Sequence, residues 1–351
     1  MGASTRWASA TFTVTLSPST LRVIWLSRNE RPLEPMTADH NLWLRSTEDG
    51  RLAQLTSDGE ELDAWSTWDT KWSPDGNKIL TRRVDSRGAH RMPVVHWLKP
   101  GQEEVEWHLY PIAGGSQPQN RLLVVDIHSK RRTEIDVGDE PDQIFHLIGW
   151  GPTGNEVFFL RLDRLMKRMD LMAADPDTGA SRVVVSEQQE TYVEGLRFYG
   201  VADDFLTLLD DGRFLWLSER DGWTHLYLYE IDGTLVRRLT QGAFPVSRVV
   251  AVDAEAGWIY LMAQAEPDRP YDAHLYRVDF DGGGWRRLTE GAGQHQVEFA
   301  PTDAYFVDTH SSASRPPVTE LRRADGDLLQ VLSRRCVGHH RRNSSSRRPT
   351  V

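Results

Sequence analysis

Cysteine is all but missing: Cys336 is the single one in 351 residues. An internal disulfide and any zinc site built on cysteines are thereby excluded, which fits a reducing compartment or a fold that needs no covalent staple. Long apolar runs are absent too; none approaches the ~18 residues of a membrane-spanning helix, so no membrane partner is expected. The first twenty residues lack a charged leader region, a sustained apolar core and a cleavage site, and Arg6 stands where N-myristoylation requires Ser or Thr. A cytoplasmic location is the expectation. Basic charge is in deficit, with 51 acids against 41 bases and a net charge of −10, so no nucleic-acid partner is expected. Gly-x-Ser-x-Gly, Walker, His-Glu-x-x-His and Gly-x-Gly-x-x-Gly patterns do not occur, and neither does the Ser-x-Asp-x-Gly-x-x-Trp box of sialidase-type propellers. Hence no cofactor is expected, no metal, and no catalytic residue.

Large apolar side chains are plentiful. With 13 Trp, 11 Phe and 9 Tyr the chain is too aromatic for a disordered protein, despite a mean hydropathy of −0.51. Their arrangement repeats. In the stretch Trp216 to Gly242, alternating Leu226-Tyr227-Leu228-Tyr229 follows a polar tip and precedes an Asp232-Gly233 turn and the close Leu239-Thr240. Period-two alternation around Asp-Gly predicts a meander of three strands. His274-Leu275-Tyr276 through Asp281-Gly282 to Leu288-Thr289 echoes it 49 residues later. A further copy starts at Asn41-Leu42-Trp43-Leu44 and ends at Leu55-Thr56, with the same 14-residue step from Leu42 to Thr56 as from Leu226 to Thr240. A strand-built repeat of this period is the signature of a propeller blade.

A second element, Trp72-Ser73-Pro74-Asp75-Gly76, recurs as Trp150-Gly151-Pro152-Thr153-Gly154 and Phe299-Ala300-Pro301-Thr302-Asp303, each predicting a turn between two strands. The fold class expected is all-β, a β-propeller of about six four-stranded blades. Residues 1–40 are taken as a lead-in interrupted by prolines, 41–332 as the propeller, and 333–351, with six Arg and no acid, as a basic disordered tail. The insertion between Arg83 and Asn120 is expected to extend one blade as a hairpin.

Two acidic clusters stand out: Glu60-Glu61 with Asp63, and Glu103-Glu104 with Glu106. Adjacent carboxylates are ordinarily solvated surface, but two of them can grip one ammonium through charge-assisted hydrogen bonds. Asp308-Thr309-His310-Ser311-Ser312 contains all three residue types of a hydrolytic triad, yet neighbours on a strand point to opposite faces, so a strand end is expected there. Asp279-Phe280-Asp281-Gly282 lacks the distal ligands of a calcium loop and is expected to be a turn. His225, His274, His295 and His310 recur at blade positions and are assigned to packing rather than to a metal.

The run Ser218 to Tyr229, the Leu239 to Gly242 close, Tyr110-Pro111-Ile112-Ala113-Gly114-Gly115, Trp72 to Gly76 and the segment Phe299 to Leu332 together resemble the N-terminal β-propeller of dipeptidyl peptidase IV-type serine peptidases, in the prolyl oligopeptidase superfamily. The resemblance implies an eight-bladed ring, here in an incomplete version, that caps an α/β-hydrolase domain and serves the removal of dipeptides, with Pro or Ala second, from peptide N-termini. It also implies a Glu pair on a short helical segment, upstream of a Trp-Ser-Pro strand, that holds the substrate ammonium. Glu60 and Glu61 are the residues at that place. The partners implied are peptide N-termini, an α/β-hydrolase domain not found after Leu332, and a second copy in a homodimer. The alternative is a free-standing propeller acting as a protein- or peptide-binding scaffold.

Overall fold

The computed structural model describes residues 12–17, 20–25, 32–98, 105–140, 142–193 and 205–334, the first two stretches as backbone only. Residues 335–351 of the basic tail, and Glu103-Glu104, lie outside the described residues. The chain divides into two compact units, residues 28–238 and residues 1–27 with 239–351. Among the described residues every regular element is a strand, and no helix is long and apolar enough to cross a membrane.

At the chain's start β1 (Phe12–Ser17) and β2 (Thr20–Trp25) form an antiparallel hairpin. The unit 28–238 opens on a three-stranded sheet, β3 (Leu33–Ala38), β4 (Asn41–Ser46) and β5 (Leu52–Gln54). The next sheet starts with β6 (Asp63–Trp72) and β7 (Lys78–Asp85). The chain then leaves it for a separate hairpin, β8 (Arg91–Val95) with β9 (Val105–Leu109), and returns as β10 (Gln119–Asp126) and β11 (Arg132–Glu134). Two uninterrupted four-stranded meanders follow: β12 (Ile144–Trp150), β13 (Val157–Leu162), β14 (Arg168–Ala174) and β15 (Ser181–Gln188), then β16 (Leu206–Leu208), β17 (Arg213–Ser218), β18 (His225–Glu230) and β19 (Leu235–Arg238). The other unit holds two more, β20 (Val246–Asp253), β21 (Trp258–Ala263), β22 (His274–Asp279) and β23 (Arg286–Arg287), then β24 (Gln294–Phe299), β25 (Tyr305–Ser312), β26 (Arg315–Arg323) and β27 (Leu328–Arg334). All pairings within the sheets are antiparallel.

The described sheets are thus five of four strands, one of three, and the two-stranded hairpins β1–β2 and β8–β9. The first sheet takes its edge strand β3 from the stretch assigned to a lead-in. Pro35 is tolerated there because an edge strand has a side with no ladder to feed.

The middle strands are buried on both faces: β13 reads Val157-Phe158-Phe159-Leu160, each without solvent contact. Successive side chains point to opposite faces, so alternate residues feed different cores. Phe158 and Leu160 pack with Leu206, Phe214 and Trp216 of the following sheet, whereas Val157 and Phe159 pack with Leu80, Leu122 and Val124 of the preceding one. Ile79 and Leu80 divide likewise, Ile79 joining Leu42, Leu44 and Trp65. In the other unit Tyr260, Met262 and Leu275 meet Val297 and Phe306 of the next sheet. Burial of each such side chain is worth about 1.5–3 kcal/mol. The fourth strands β11, β19 and β23 are short, two to four residues, and mostly solvent-exposed.

The repeat's 14-residue step has a hydrogen-bond origin. Thr56 Oγ1 accepts from the Leu42 N–H at 2.9 Å and meets Asn41 Oδ1 at 3.2 Å, while Leu55 N–H donates to the Leu42 carbonyl at 2.9 Å. Thr289 Oγ1 accepts from the Leu275 N–H at 3.1 Å and meets His274 Nδ1 at 3.0 Å, with Leu288 N–H on the Leu275 carbonyl at 2.8 Å. The Leu-Thr close therefore continues a ladder that the short fourth strand has left. The third-to-fourth-strand turns carry glycine for a related reason: at Gly233 (φ +97) a Cβ would stand 2.2 Å from the Val184 carbonyl oxygen, and at Gly179 (φ +78) 2.0 Å from that of Glu134, each on the preceding sheet.

Trp216 to Tyr229 is tied together through one buried carboxylate. Glu187 Oε1 accepts from Trp216 Nε1 at 2.6 Å and from Arg220 Nη2 at 2.7 Å, and Arg220 also reaches the Tyr229 hydroxyl at 2.6 Å. In the Ser-Pro-Asp-Gly turn, Asp75 accepts from Ser73 Oγ at 2.6 Å and from the Asn77 N–H at 3.0 Å, and Ser73 Oγ accepts from the Lys78 N–H at 2.8 Å. The Ser73 hydroxyl first, then the Asn77 donors, hold the Asp75 carboxyl down at about 2. A lowered carboxylate stabilises the fold fully above its unfolded value of about 3.9 and stops doing so as pH falls toward 2. Urea unfolding of Asp75→Asn is accordingly expected to show less stability than the parent at pH 7, with the gap closing between pH 4 and pH 2.

Candidate functional site

Glu60 and Glu61 occupy a tight turn that leads into β6. The turn is closed by two backbone bonds, Glu60 N–H to the Asp63 carbonyl at 3.0 Å and Asp63 N–H to the Glu60 carbonyl at 3.1 Å. Both side chains are exposed, and neither carboxylate has a hydrogen bond or ion pair with a described residue. Two adjacent carboxylates are thus presented to solvent on a rigid base.

Charge organises that base. Asp63 lies directly opposite Asp85 in the β6–β7 ladder, a juxtaposition of like charges that destabilises a sheet unless it is compensated. Arginines compensate it. Arg83 Nε donates to Asp63 at 2.8 Å, Arg121 reaches Asp63 at 3.3 Å, and Arg87 binds Asp85 while lying 3.8 Å from Asp63. Arg83 also reaches Asp58 at 2.6 Å, where Arg132 joins it at 2.7 Å and Trp65 Nε1 donates at 3.3 Å. Partial burial pushes the Asp58 carboxyl up, but the hydrogen bond and charge of Arg132, with Trp65 and Arg83, outweigh it and leave it lowered. Asp85 is held at about 2, chiefly by Arg87. Asp63 belongs to this buried network, so of the acidic triplet only the Glu pair faces outward.

Just beyond, β6 loses register between Ser66 and Lys71. The bulge puts Trp68 out into solvent at 81% exposure, while Asp69 accepts from Arg82 and, at 3.2 Å, from the Leu147 N–H. The insertion's hairpin β8–β9 is exposed along its whole length, with Glu106 between His96 at 2.9 Å and His108 at 3.2 Å. The remaining sequence candidates lie on strands and turns. Asp308 to Ser312 lie on β25, and Asp279 closes a turn by accepting from the Asp281 and Gly283 N–H groups. His225, His274 and His295 are buried. What sequence reasoning missed is the arginine set around Asp63: Arg83 and Arg121 come from different strands, and register alone puts them opposite each other.

A family profile described as the dipeptidyl peptidase IV (DPP IV) N-terminal region matches residues 35–317. The chain belongs to this family. Among curated relatives, this DPP IV N-terminal region is similar to a probable dipeptidyl peptidase 4 of Aspergillus flavus, 22% identical over 244 residues, covering 62% of this chain and 31% of the relative. It is likewise similar to dipeptidyl peptidase 4 of Arthroderma otae, 24% identical over 215 residues, covering 56% and 26%. The chain spans less than a third of the length of these relatives. Among solved structures it resembles dipeptidyl peptidase 4 of Porphyromonas gingivalis, with a TM-score of 0.77 at 20% identity, covering 90% of this chain and 46% of that one. It also resembles a putative dipeptidyl aminopeptidase IV of Bacteroides ovatus, with a TM-score of 0.69 at 17% identity, covering 89% and 52%. The all-β, propeller-type fold expected from the repeats is the fold of this family. Within the DPP IV N-terminal region described here, Glu60 bridges Asp63 across a turn of Glu61 and Leu62, where the resemblance implied a short helical segment.

Removing Arg83 would leave Asp63, 9% exposed, short of its closest cation. Arg83→Leu is expected to cost about 3 kcal/mol in urea unfolding at pH 7. Glu60→Gln, on the surface, should stay within about 0.5 kcal/mol of the parent.

Proposed function

We propose that this chain supplies the non-catalytic propeller part of a dipeptidyl-peptidase-type serine exopeptidase, admitting peptides and anchoring their N-termini through Glu60 and Glu61. The serine chemistry belongs, on this proposal, to an α/β-hydrolase domain outside residues 35–317. The single observation that carries it is a pair of exposed carboxylates, without a hydrogen bond or ion pair among the described residues, on a turn pinned at both ends, in a chain that belongs to the DPP IV N-terminal family. An α-ammonium offers three donors, and two carboxylates can take two of them at once. An N-acetylated peptide offers neither the charge nor the geometry. A polypeptide of free N-terminus is thereby distinguished from internal chain, which is what an enzyme that counts two residues from the end requires.

The test compares one peptide with its N-acetylated form by fluorescence anisotropy. Glu60→Gln with Glu61→Gln is expected to weaken binding of the free-amine peptide about tenfold, close to 1.4 kcal/mol, and to leave the acetylated peptide unchanged. Equal affinities in parent and double variant would sink the anchor and favour the free-standing scaffold.

The proposal also gives the hairpin β8–β9 to a second copy of the chain. Val94, Val95, Trp97, Trp107 and Leu109 are exposed together there, and apolar surface gathered on one projecting element marks an interaction site. Light scattering is expected to find a dimer, and Trp97→Glu with Trp107→Glu a monomer.

A further inference from the structure

On the sheet β24–β27 one face collects four ionisable side chains. Asp308 and His310, two apart on β25, share that face. Glu320 of β26 stands directly opposite Asp308, and His295 of β24 directly opposite His310. Side chains paired across a ladder in this way lie about 5 Å apart at Cβ, so the four form a compact square. The imidazoles are layered: His310 stacks on His295 with centroids 4.8 Å apart and planes within 16°, and His295 lies 4.5 Å from His274.

The square holds two carboxylates and two imidazoles, with one guanidinium at its edge. Asp308 is fully buried, and its two oxygens each lie 2.9 Å from His295 Nδ1. Among the described residues no arginine or lysine pairs with it. Glu320, also buried, has Oε2 held by Arg322 Nε at 3.1 Å and Nη2 at 2.8 Å, and the next carboxylate to Arg322 is Glu290 at 3.8 Å. Arg322 thus serves Glu320, while Asp308 has only the His295 imidazole against it, and burying a carboxylate without a compensating charge is costly. His310 Nε2 is buried with no hydrogen-bond partner, and Glu320 Oε2 at 3.8 Å is too far to serve as one. A shielded imidazole nitrogen without a hydrogen bond therefore stands beside the Glu320 carboxylate, in one cluster with Asp308.

One ligand atom from each of Asp308, His310 and Glu320 can be chosen so that all lie within 4.8 Å of one another. Around a tetrahedral zinc with ligands at about 2.0–2.1 Å, ligand atoms stand about 3.4 Å apart, so the set closes by up to about 1.4 Å when it takes the ion. We propose that Asp308, His310 and Glu320 bind one divalent transition-metal ion, zinc being the best suited, with a water in its fourth position. One imidazole and two carboxylates make a mixed nitrogen and oxygen set, whereas calcium takes six to eight oxygens. His295 and Arg322 orient the two ligating carboxylates, the outer-shell contacts that metal ligands require. Since Arg322 holds Oε2, Glu320 offers Oε1.

The experiment uses the full chain, stripped with EDTA and titrated with zinc chloride by calorimetry, with cobalt(II) absorption as a second probe. One zinc per chain and the intense visible bands of four-coordinate cobalt are expected. His310→Phe keeps the ring stack while removing the nitrogen, and Glu320→Gln keeps the shape while removing the charge. Each is expected to weaken zinc binding by at least about tenfold. Zinc affinity unchanged in both variants, or no zinc bound by a chain with its native β circular-dichroism spectrum, overturns the assignment. Should a variant fail to fold, nitrogen NMR of the parent's histidines decides. A zinc-dependent shift at the His310 Nε2 supports the site, and an unmoved one overturns it.

Discussion

In the sheets β12–β15, β16–β19 and β20–β23 the middle strands are largely buried on both faces, and such a sheet cannot stand against water on either side. Phe158 and Phe159, neighbours in sequence, are buried in different cores, as are Ile79 and Leu80. A half-buried antiparallel sheet would alternate apolar and polar residues. These middle strands do not, so the chain folds by interleaving sheets rather than by covering one. The recurring details follow from that demand. A short fourth strand keeps the outer edge small, the Leu-Thr close finishes its ladder, and a glycine turn lets one sheet approach the next at backbone distance, as Gly233 approaches Val184.

Where the interleaving stops, at the strand ends, charge takes over. Acids brought opposite each other by register, Asp63 and Asp85, are held by arginines of two strands, Arg83 of β7 with Arg87 just past its end and Arg121 of β10. That network consumes Asp63 and leaves Glu60 and Glu61, three and two residues earlier, without partners among the described residues. The same physics reads differently on β25, where buried Glu320 pairs with Arg322, buried Asp308 with His295, and a layer of imidazoles lies beside them. At the first place surplus negative charge is exposed and suited to an organic cation. At the second it is buried and suited to a metal ion.

Much of the fold was legible in the residues because the repeat is a local device. The 14-residue step from Leu42 to Thr56 survives in sequence since it is one hydrogen bond that each copy must make again. Asp-Gly turns and period-two alternation are local as well. The edge strand β3 was hidden by Pro35, because proline reads as a breaker until the strand is known to have a free side. Arg83 and Arg121 were hidden because an arginine's partner is chosen by register across strands. The histidines were expected to pack within the blades; His225, His274 and His295 are buried and His310 is half-buried. Their layering was not legible, since His274, His295 and His310 come from three different strands.

The sequence by itself determined that the chain is all-β, how its strands are grouped, and which turns join them, because alternation, turn chemistry and the repeated close act between residues near in the chain. Tertiary structure alone decided which charges meet. Cross-strand register sets Asp63 against Asp85 and Glu320 against Asp308, and a shift of one residue would turn every one of those side chains to the other face.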